Sequence, residues 1–312
     1  MGAGNNKGRK SGTGRNVLVW RILLAVCLVG AAVAIGILVR GEMQKRRQAE
    51  LLAQLAEQIN QAKQDYDASD LGDGTDEPVN TPKPGSTWEE LSLEEKNQKL
   101  EEFFGIDIPD KEIDFDSLHE VTSPDIYAWI YIPETAVDYP VLRHPDDNSY
   151  YLNHNIDGTR GYPGCIYTED YNSTDFTDHN TVLYGHNMKN GSMFGTLHKF
   201  EDAEFFAENQ YIYVYTPDEV FVYRIFRAYE YSDIHLLAGY ETATEEGFGE
   251  YLEEAMSVRS MVNNVDEDVE VTSKDRIITL STCCSKPGRR YLVQGLLLRV
   301  GEEAEGTYVA ED

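Results

Sequence analysis

Between Tyr127 and Val300 the chain carries seven short runs of β-branched and aromatic residues, and this pattern limits its fold more than any other feature. The runs are YAWIYIP (127–133), GCIYT (164–168), NTVLYG (180–185), QYIYVYT (210–216), VFVYRIFRAY (220–229), RIITLST (276–282) and YLVQGLLLRV (291–300). Such residues pack well on a pleated, half-buried surface, and turn residues separate the runs. Unequal spacing and few helical stretches predict an all-β barrel or sandwich with helical insertions. The main insertion covers 240–262, where Phe248, Tyr251, Leu252, Ala255 and Met256 suit a helix. Ahead of the strands, Ser92-Leu93-Glu94-Glu95 has capping-box spacing. Leu93, Leu100, Phe103 and Phe104 supply an apolar face there, so the folded domain is expected to begin near Thr87 with a helix.

The N-terminal part has a different character. Residues 22–39 form an uncharged apolar run, extended backward by Val17 to Trp20 across Arg21, and that length spans a bilayer as a helix. Lys7, Arg9, Lys10, Arg15 and Arg21 precede it with no acid, as expected of a cytoplasmic N-terminus. A cleaved signal peptide ending at Ala32-Val33-Ala34 is the competing reading, but the run continues through Val39, which favours a retained anchor. Residues 43–66 recur at helical spacing and read as a stalk, and 67–86 are acidic and rich in Gly and Pro, as in a flexible linker. The expected organisation is a cytoplasmic 1–16, a membrane helix at 17–39, stalk and linker at 40–86, a folded domain at 87–300 and a disordered acidic tail at 301–312.

Charge places the domain. Residues 1–47 hold nine of the 27 basic residues but only Glu42 of the 55 acids, which leaves 18 basic against 54 acidic side chains in the rest. A field this negative repels nucleic acid and anionic lipid, and suits a soluble domain held outside the membrane.

The cysteines Cys27, Cys165, Cys283 and Cys284 do not form a disulfide framework, since Cys27 lies in the apolar run and Cys283 and Cys284 are neighbours. Cys165, in a strand-like run, reads as a small buried hydrophobe. Cys283 ends RIITLST, where strand alternation turns Ile277, Thr279, Ser281 and Cys283 one way and Ile278, Leu280 and Thr282 the other. A thiol at a strand end is held yet reachable, and becomes a nucleophile when a base or a cation lies near. TVLYGHNM (181–188) delivers His186 to a comparable place, whereas the other six histidines have no such framing and read as surface or hydrogen-bonding residues. Arg289 and Arg290 open the last run; neighbours on a strand face opposite ways, so one of the two faces Cys283. A guanidinium there can stabilise an oxyanion.

TLSTC (279–283), YGHNM (184–188) and an arginine-led strand, in this order behind one N-terminal apolar run, resemble a sortase. WIYIPETAVDYPV (129–141), DNSYYL (147–152) and GCIYTEDYN (164–172) resemble class B sortases in particular, so the likeness covers about 88–300. It implies an eight-stranded β-barrel, a catalytic set of His186, Cys283 and Arg290, and substrate contacts from Asn148, Leu152 and Ser281. RYLVQG matches the family's final strand, which selects Arg290 over Arg289. The helical insertion matches the class B helix that walls the groove. No metal or cofactor is implied. The acid that class B members often carry soon after the cysteine is missing: Cys284, Ser285, Lys286 and Pro287 follow it here.

The implied reaction is transpeptidation. Cys283 attacks the Thr carbonyl of an Asn-Pro-x-Thr-Asn/Gly-like sorting signal on a secreted protein, His186 protonates the leaving amine, and a cell-wall precursor amine resolves the thioacyl enzyme. The competing readings are a class B pilus polymerase that joins pilins through lysine, a Cys-His hydrolase, and a surface binding module without activity.

Overall fold

The computed structural model describes residues 91–300 together with Met43, Arg46, Trp88 and 308–310. Met43 and Arg46 are helical; the rest of the stalk, the apolar run at 17–39 and the linker at 67–86 lie outside the described residues. Among the described residues no helix is long and apolar enough to cross a membrane.

Two helices lead into the barrel, α1 (Leu93–Phe104) and α2 (Phe115–Val121). The capping box of α1 forms as expected: the Ser92 hydroxyl accepts from Glu95 N–H, and the Glu95 carboxylate accepts from Ser92 N–H. Its apolar face is narrower than expected. Leu100 is buried and Phe104 half-buried, whereas Leu93 and Phe103 are about 40% exposed (40% and 39%) because only one edge of α1 meets the barrel. Trp88 is buried and its indole N–H donates to Glu219.

The strands are β1 (Ile126–Tyr131), β2 (Asp138–Leu142), β3 (Ile166–Tyr167), β4 (Asn180–Tyr184), β5 (Tyr211–Tyr215), β6 (Val220–Ser232), β7 (Asn263–Val265), β8 (Ile277–Cys283), β9 (Arg289–Val300) and β10 (Tyr308–Ala310). Their order runs β9-β8-β4-β3-β2-β1-β5-β6, and β6 pairs back onto β9, so eight strands close a barrel. Closure leaves no free edge within those eight. β2 runs parallel to β3 and β4 parallel to β8, while the other neighbours in the ring are antiparallel.

All seven sequence runs appear as strands, and three further strands join them. β2 contains Pro140, which argues against a central strand. Ile132 N–H donates to Val137 O, so alternation puts Pro140, opposite Trp129, where no ladder bond to β1 is made. On its other side β3 pairs only from Val141 onward, so the missing N–H disrupts nothing. β9 outruns both its neighbours, and β10 pairs parallel with the overhang, Tyr308 opposite Leu298 and Ala310 opposite Val300. These three residues correct the expectation of disorder throughout 301–312.

Alternation along β8 works as the sequence implies. Ile278 and Leu280 fill the barrel interior with Tyr291 and Val293. Ile277 faces outward and packs with Leu292, Leu296 and the insertion. The insertion is shifted toward the N-terminus from 240–262. Following α3 (Tyr150–Asn153) and α4 (Ala203–Glu208) along the chain, it consists of the short α5 (Leu236–Gly239) and then α6 (Glu245–Ser257), which starts where the Thr244 hydroxyl accepts from Gly247 N–H. Phe248, Tyr251, Leu252 and Ala255 are buried, and each large one contributes about 1.5–3 kcal/mol. Met256, expected on that face, is 43% exposed because it sits one position round the helix. A buried polar chain also ties α6 to the barrel: Gln294 Nε2 donates to Tyr251 Oη (2.6 Å) and Thr279 Oγ1 (3.0 Å), and the Thr279 hydroxyl donates to Asn180 (2.7 Å).

Candidate active site

Cys283 ends β8 with an exposed side chain on the outward face. It lies directly opposite Arg290 of β9. The ladder phase is set by Leu297 N–H donating to Arg276 O, and counting in twos from there puts the Cys283–Arg290 pair at a position without mutual backbone bonds. Side chains approach most closely at such positions. Arg290 Nη1 accordingly donates to Cys283 Sγ at 3.4 Å. Arg290 is half-buried, whereas Arg289, one residue away and turned to the other face, is exposed. A fixed cation beside sulfur can bind a developing oxyanion.

His186 follows β4, which runs parallel to β8 and stops opposite Ser281. Its Nε2 donates to the Leu152 carbonyl at 2.7 Å, and its ring lies 4.7 Å from that of Tyr162, tilted by 31°. These contacts orient the imidazole, and among the described residues no hydrogen bond joins it to Cys283. Gly185 allows this approach: a Cβ on it would meet Ile166 at 2.5 Å and Phe194 at 2.6 Å.

The three expected substrate contacts are placed differently. Leu152 sits in the one-turn helix α3 (Tyr150–Asn153), with its side chain exposed and its carbonyl on His186. Ser281 is buried on the face of β8 that carries Cys283, and its carbonyl accepts from Gly185 N–H. Among the described residues Asn148 makes no hydrogen bond to a catalytic candidate; it links two loops by donating to the Asp170 carboxylate and accepting from Asp170 N–H (2.8 Å).

A family model described as the sortase domain matches residues 130–298. The chain belongs to the sortase family. Sortase B of Listeria monocytogenes serovar 1/2a is 34% identical over 177 residues, covering 56% of this chain and 70% of that protein. Clostridium perfringens sortase B superposes with a TM-score of 0.53 at 30% identity, over 59% of this chain and 100% of that one. A Staphylococcus aureus sortase B–substrate complex gives 0.51 at 28% identity, over 59% of this chain and 84% of that one. The chain is thus a class B sortase, a cysteine transpeptidase.

Several residues around the sortase's cysteine carry no clear mark in the sequence. Tyr167 and Tyr184 stack with centroids 5.5 Å apart, and burial pushes both phenols far above their usual range despite the nearby Arg290 cation. Beyond them Glu169 pairs with His235 at 2.7 Å. Asn187 Nδ2 donates to the Cys283 carbonyl at 2.8 Å, and His198 Nε2 lies 3.1 Å from the same oxygen. The sequence presents His198 as an ordinary surface histidine. Its partner is a backbone oxygen 85 residues away, which no local pattern announces. Asn187 stands beside His186 in YGHNM, and that adjacency is the available signal. Of the other cysteines, Cys165 is buried and its thiol is pushed up by burial, while Cys284 is half-buried and donates to the Lys286 carbonyl.

Proposed function

We propose that this sortase cleaves a C-terminal sorting signal of secreted proteins, with Cys283 as nucleophile, His186 as general acid and base, and Arg290 as oxyanion stabiliser. The observation that carries the assignment is the Arg290 guanidinium on the Cys283 sulfur across paired strands. Sulfur attacks the carbonyl of the scissile peptide bond while Arg290 binds the carbonyl oxygen as it gains charge. The C–N bond then breaks, His186 gives its proton to the leaving amine, and a thioacyl enzyme remains. An incoming amine attacks that thioester, His186 takes its proton, and the new amide leaves the cysteine as thiolate.

The substrate is an Asn-Pro-x-Thr-Asn/Gly-like signal bound through Asn148, Leu152 and Ser281, and the acceptor is the amine of a lipid-linked cell-wall precursor. Support for a peptide donor is that the similar S. aureus sortase B was solved as a substrate complex. Support for an amine acceptor is a similar sortase B complexed with triglycine, at 27% identity and a TM-score of 0.50. The apolar run at 17–39 anchors the enzyme in the cell membrane, with the acidic catalytic domain on the outer face.

The test is to incubate the enzyme with a labelled sorting peptide, with and without triglycine. Amine-dependent ligation that vanishes in Cys283→Ala supports the reading; hydrolysis indifferent to every amine would sink it.

A further inference from the structure

The Cys283 carbonyl sits where the sheet cannot bond it. Its pair with Arg290 makes no mutual ladder bond, so its carbonyl points to the β4 side. There β4 has already ended opposite Ser281. A strand-end carbonyl in this position needs donors from elsewhere. Two side chains supply them, Asn187 from the loop after β4 and His198 from the 3₁₀ turn Gly195–Glu201.

His198 is tied down on both ring nitrogens. Its Nε2 lies 3.1 Å from Cys283 O and 2.9 Å from Asn187 Nδ2. Its Nδ1 faces the Glu201 carboxylate at 2.5 Å. The ring also stacks on Tyr291 of β9, with centroids 4.7 Å apart. The charged and titratable groups against it are Glu201 on its own turn, Tyr291 on β9 and Cys283 at the end of β8. Lys199 turns away and donates to the Glu134 carbonyl.

We propose that Asn187 and His198 are positioning residues that hold the Cys283 carbonyl in place of a neighbouring strand, with Glu201 orienting the His198 ring. They keep the thiol beside Arg290, and Asn187 links that position to the loop carrying His186. This role rests on Cys283 being the nucleophile.

The test compares the full-length wild type with Asn187→Ala, His198→Phe and Glu201→Gln. Readouts are kcat, KM, thermal melting, and the rate of iodoacetamide alkylation at Cys283, located by peptide mass spectrometry. His198→Phe keeps the stack on Tyr291, and the expected result is a kcat lowered by roughly ten-fold with KM little changed, the size of one hydrogen bond. Asn187→Ala lowers kcat similarly, and combining the two costs less than the product of the single effects. Glu201→Gln lowers kcat and the alkylation rate less than His198→Phe does, because the glutamine oxygen still accepts from Nδ1–H. If His198→Phe does not fold, Asn187→Ala and Glu201→Gln decide the matter. Wild-type kcat and alkylation rate in both of those variants would overturn the proposal. Cys283→Ala is the separate control: activity surviving it removes the nucleophile itself, and this role with it.

Discussion

Arg290 Nη1 lies 3.4 Å from Cys283 Sγ because the two residues oppose each other at a ladder position that makes no backbone bond. The contact is a product of strand register. Arg289, which pairs with Ser232 of β6, cannot replace it without a shift that turns every side chain of β9 over. The expected result for Arg290→Ala is a fall in kcat of about 10²–10³-fold, the typical loss for an oxyanion donor. Arg289→Ala should change kcat less than about three-fold, as a surface substitution does. Steady-state kinetics on a sorting peptide, with thermal melting to check folding, measures both. An equal loss in the two variants would remove the cross-strand assignment.

Among the described residues the His186 ring is held by one hydrogen bond and one ring contact, and the ring contact comes from an exposed residue. Tyr162 is 53% exposed, so removing its ring leaves no large cavity. Tyr162→Ala should therefore leave melting nearly unchanged while lowering kcat by about 3–10-fold, the equivalent of roughly 1 kcal/mol of ring orientation. Tyr162→Phe should restore most of it, since stacking needs no hydroxyl. Failure of phenylalanine to rescue would place the effect in the hydroxyl instead.

Strand existence and the facing of β8 were legible because alternation is a local rule, and the interior cluster around Ile278 and Leu280 obeys it. Cys283 could be singled out for the same reason, since a strand end both fixes a side chain and exposes it. The arginine needed more. Parity left two candidates, family likeness chose one, and the register then brought it to the sulfur. β2 was hidden because Pro140 is an argument against a strand until the phase of its hydrogen bonds is known. His198 was hidden for a deeper reason. Its partner, the Cys283 carbonyl, is a group common to every residue in the chain, and only the barrel's closure brings it within reach.

Gly185, just before His186, packs tightly against the barrel. A Cβ there meets both Ile166 and Phe194 at distances real structures avoid, and both of those residues belong to the barrel interior. The loop carrying His186 and Asn187 would have to move outward. Gly185→Ala should thus cost about 1–3 kcal/mol of stability through overpacking. Its activity loss should exceed what the melted fraction explains, because the donor on Cys283 O moves too. Activity that falls only in proportion to the unfolded fraction would show that the loop keeps its place.

Stability at alkaline pH should report on the buried polar chain under α6. The Tyr251 phenol is fully buried, and burial pushes it from 10 up to about 12, even though Gln294 donates to it. Below pH 10 the hydroxyl is protonated in both folded and unfolded chains, so its contribution is fully present. Between 10 and about 12 the unfolded chain ionises while the folded one stays neutral, and stability falls as pH rises through that window. At pH 11 the loss from this one group is on the order of 1 kcal/mol. Tyr251→Phe deletes the titration. The variant should be less stable at pH 8 by about 1 kcal/mol, for the lost hydrogen bond. Between pH 10 and 11 it should then lose less than the wild type, so the two stability curves converge. Urea unfolding at pH 8, 10 and 11 measures the difference. Curves that stay parallel across the series would mean that the phenol ionises in the folded protein as readily as in the unfolded chain.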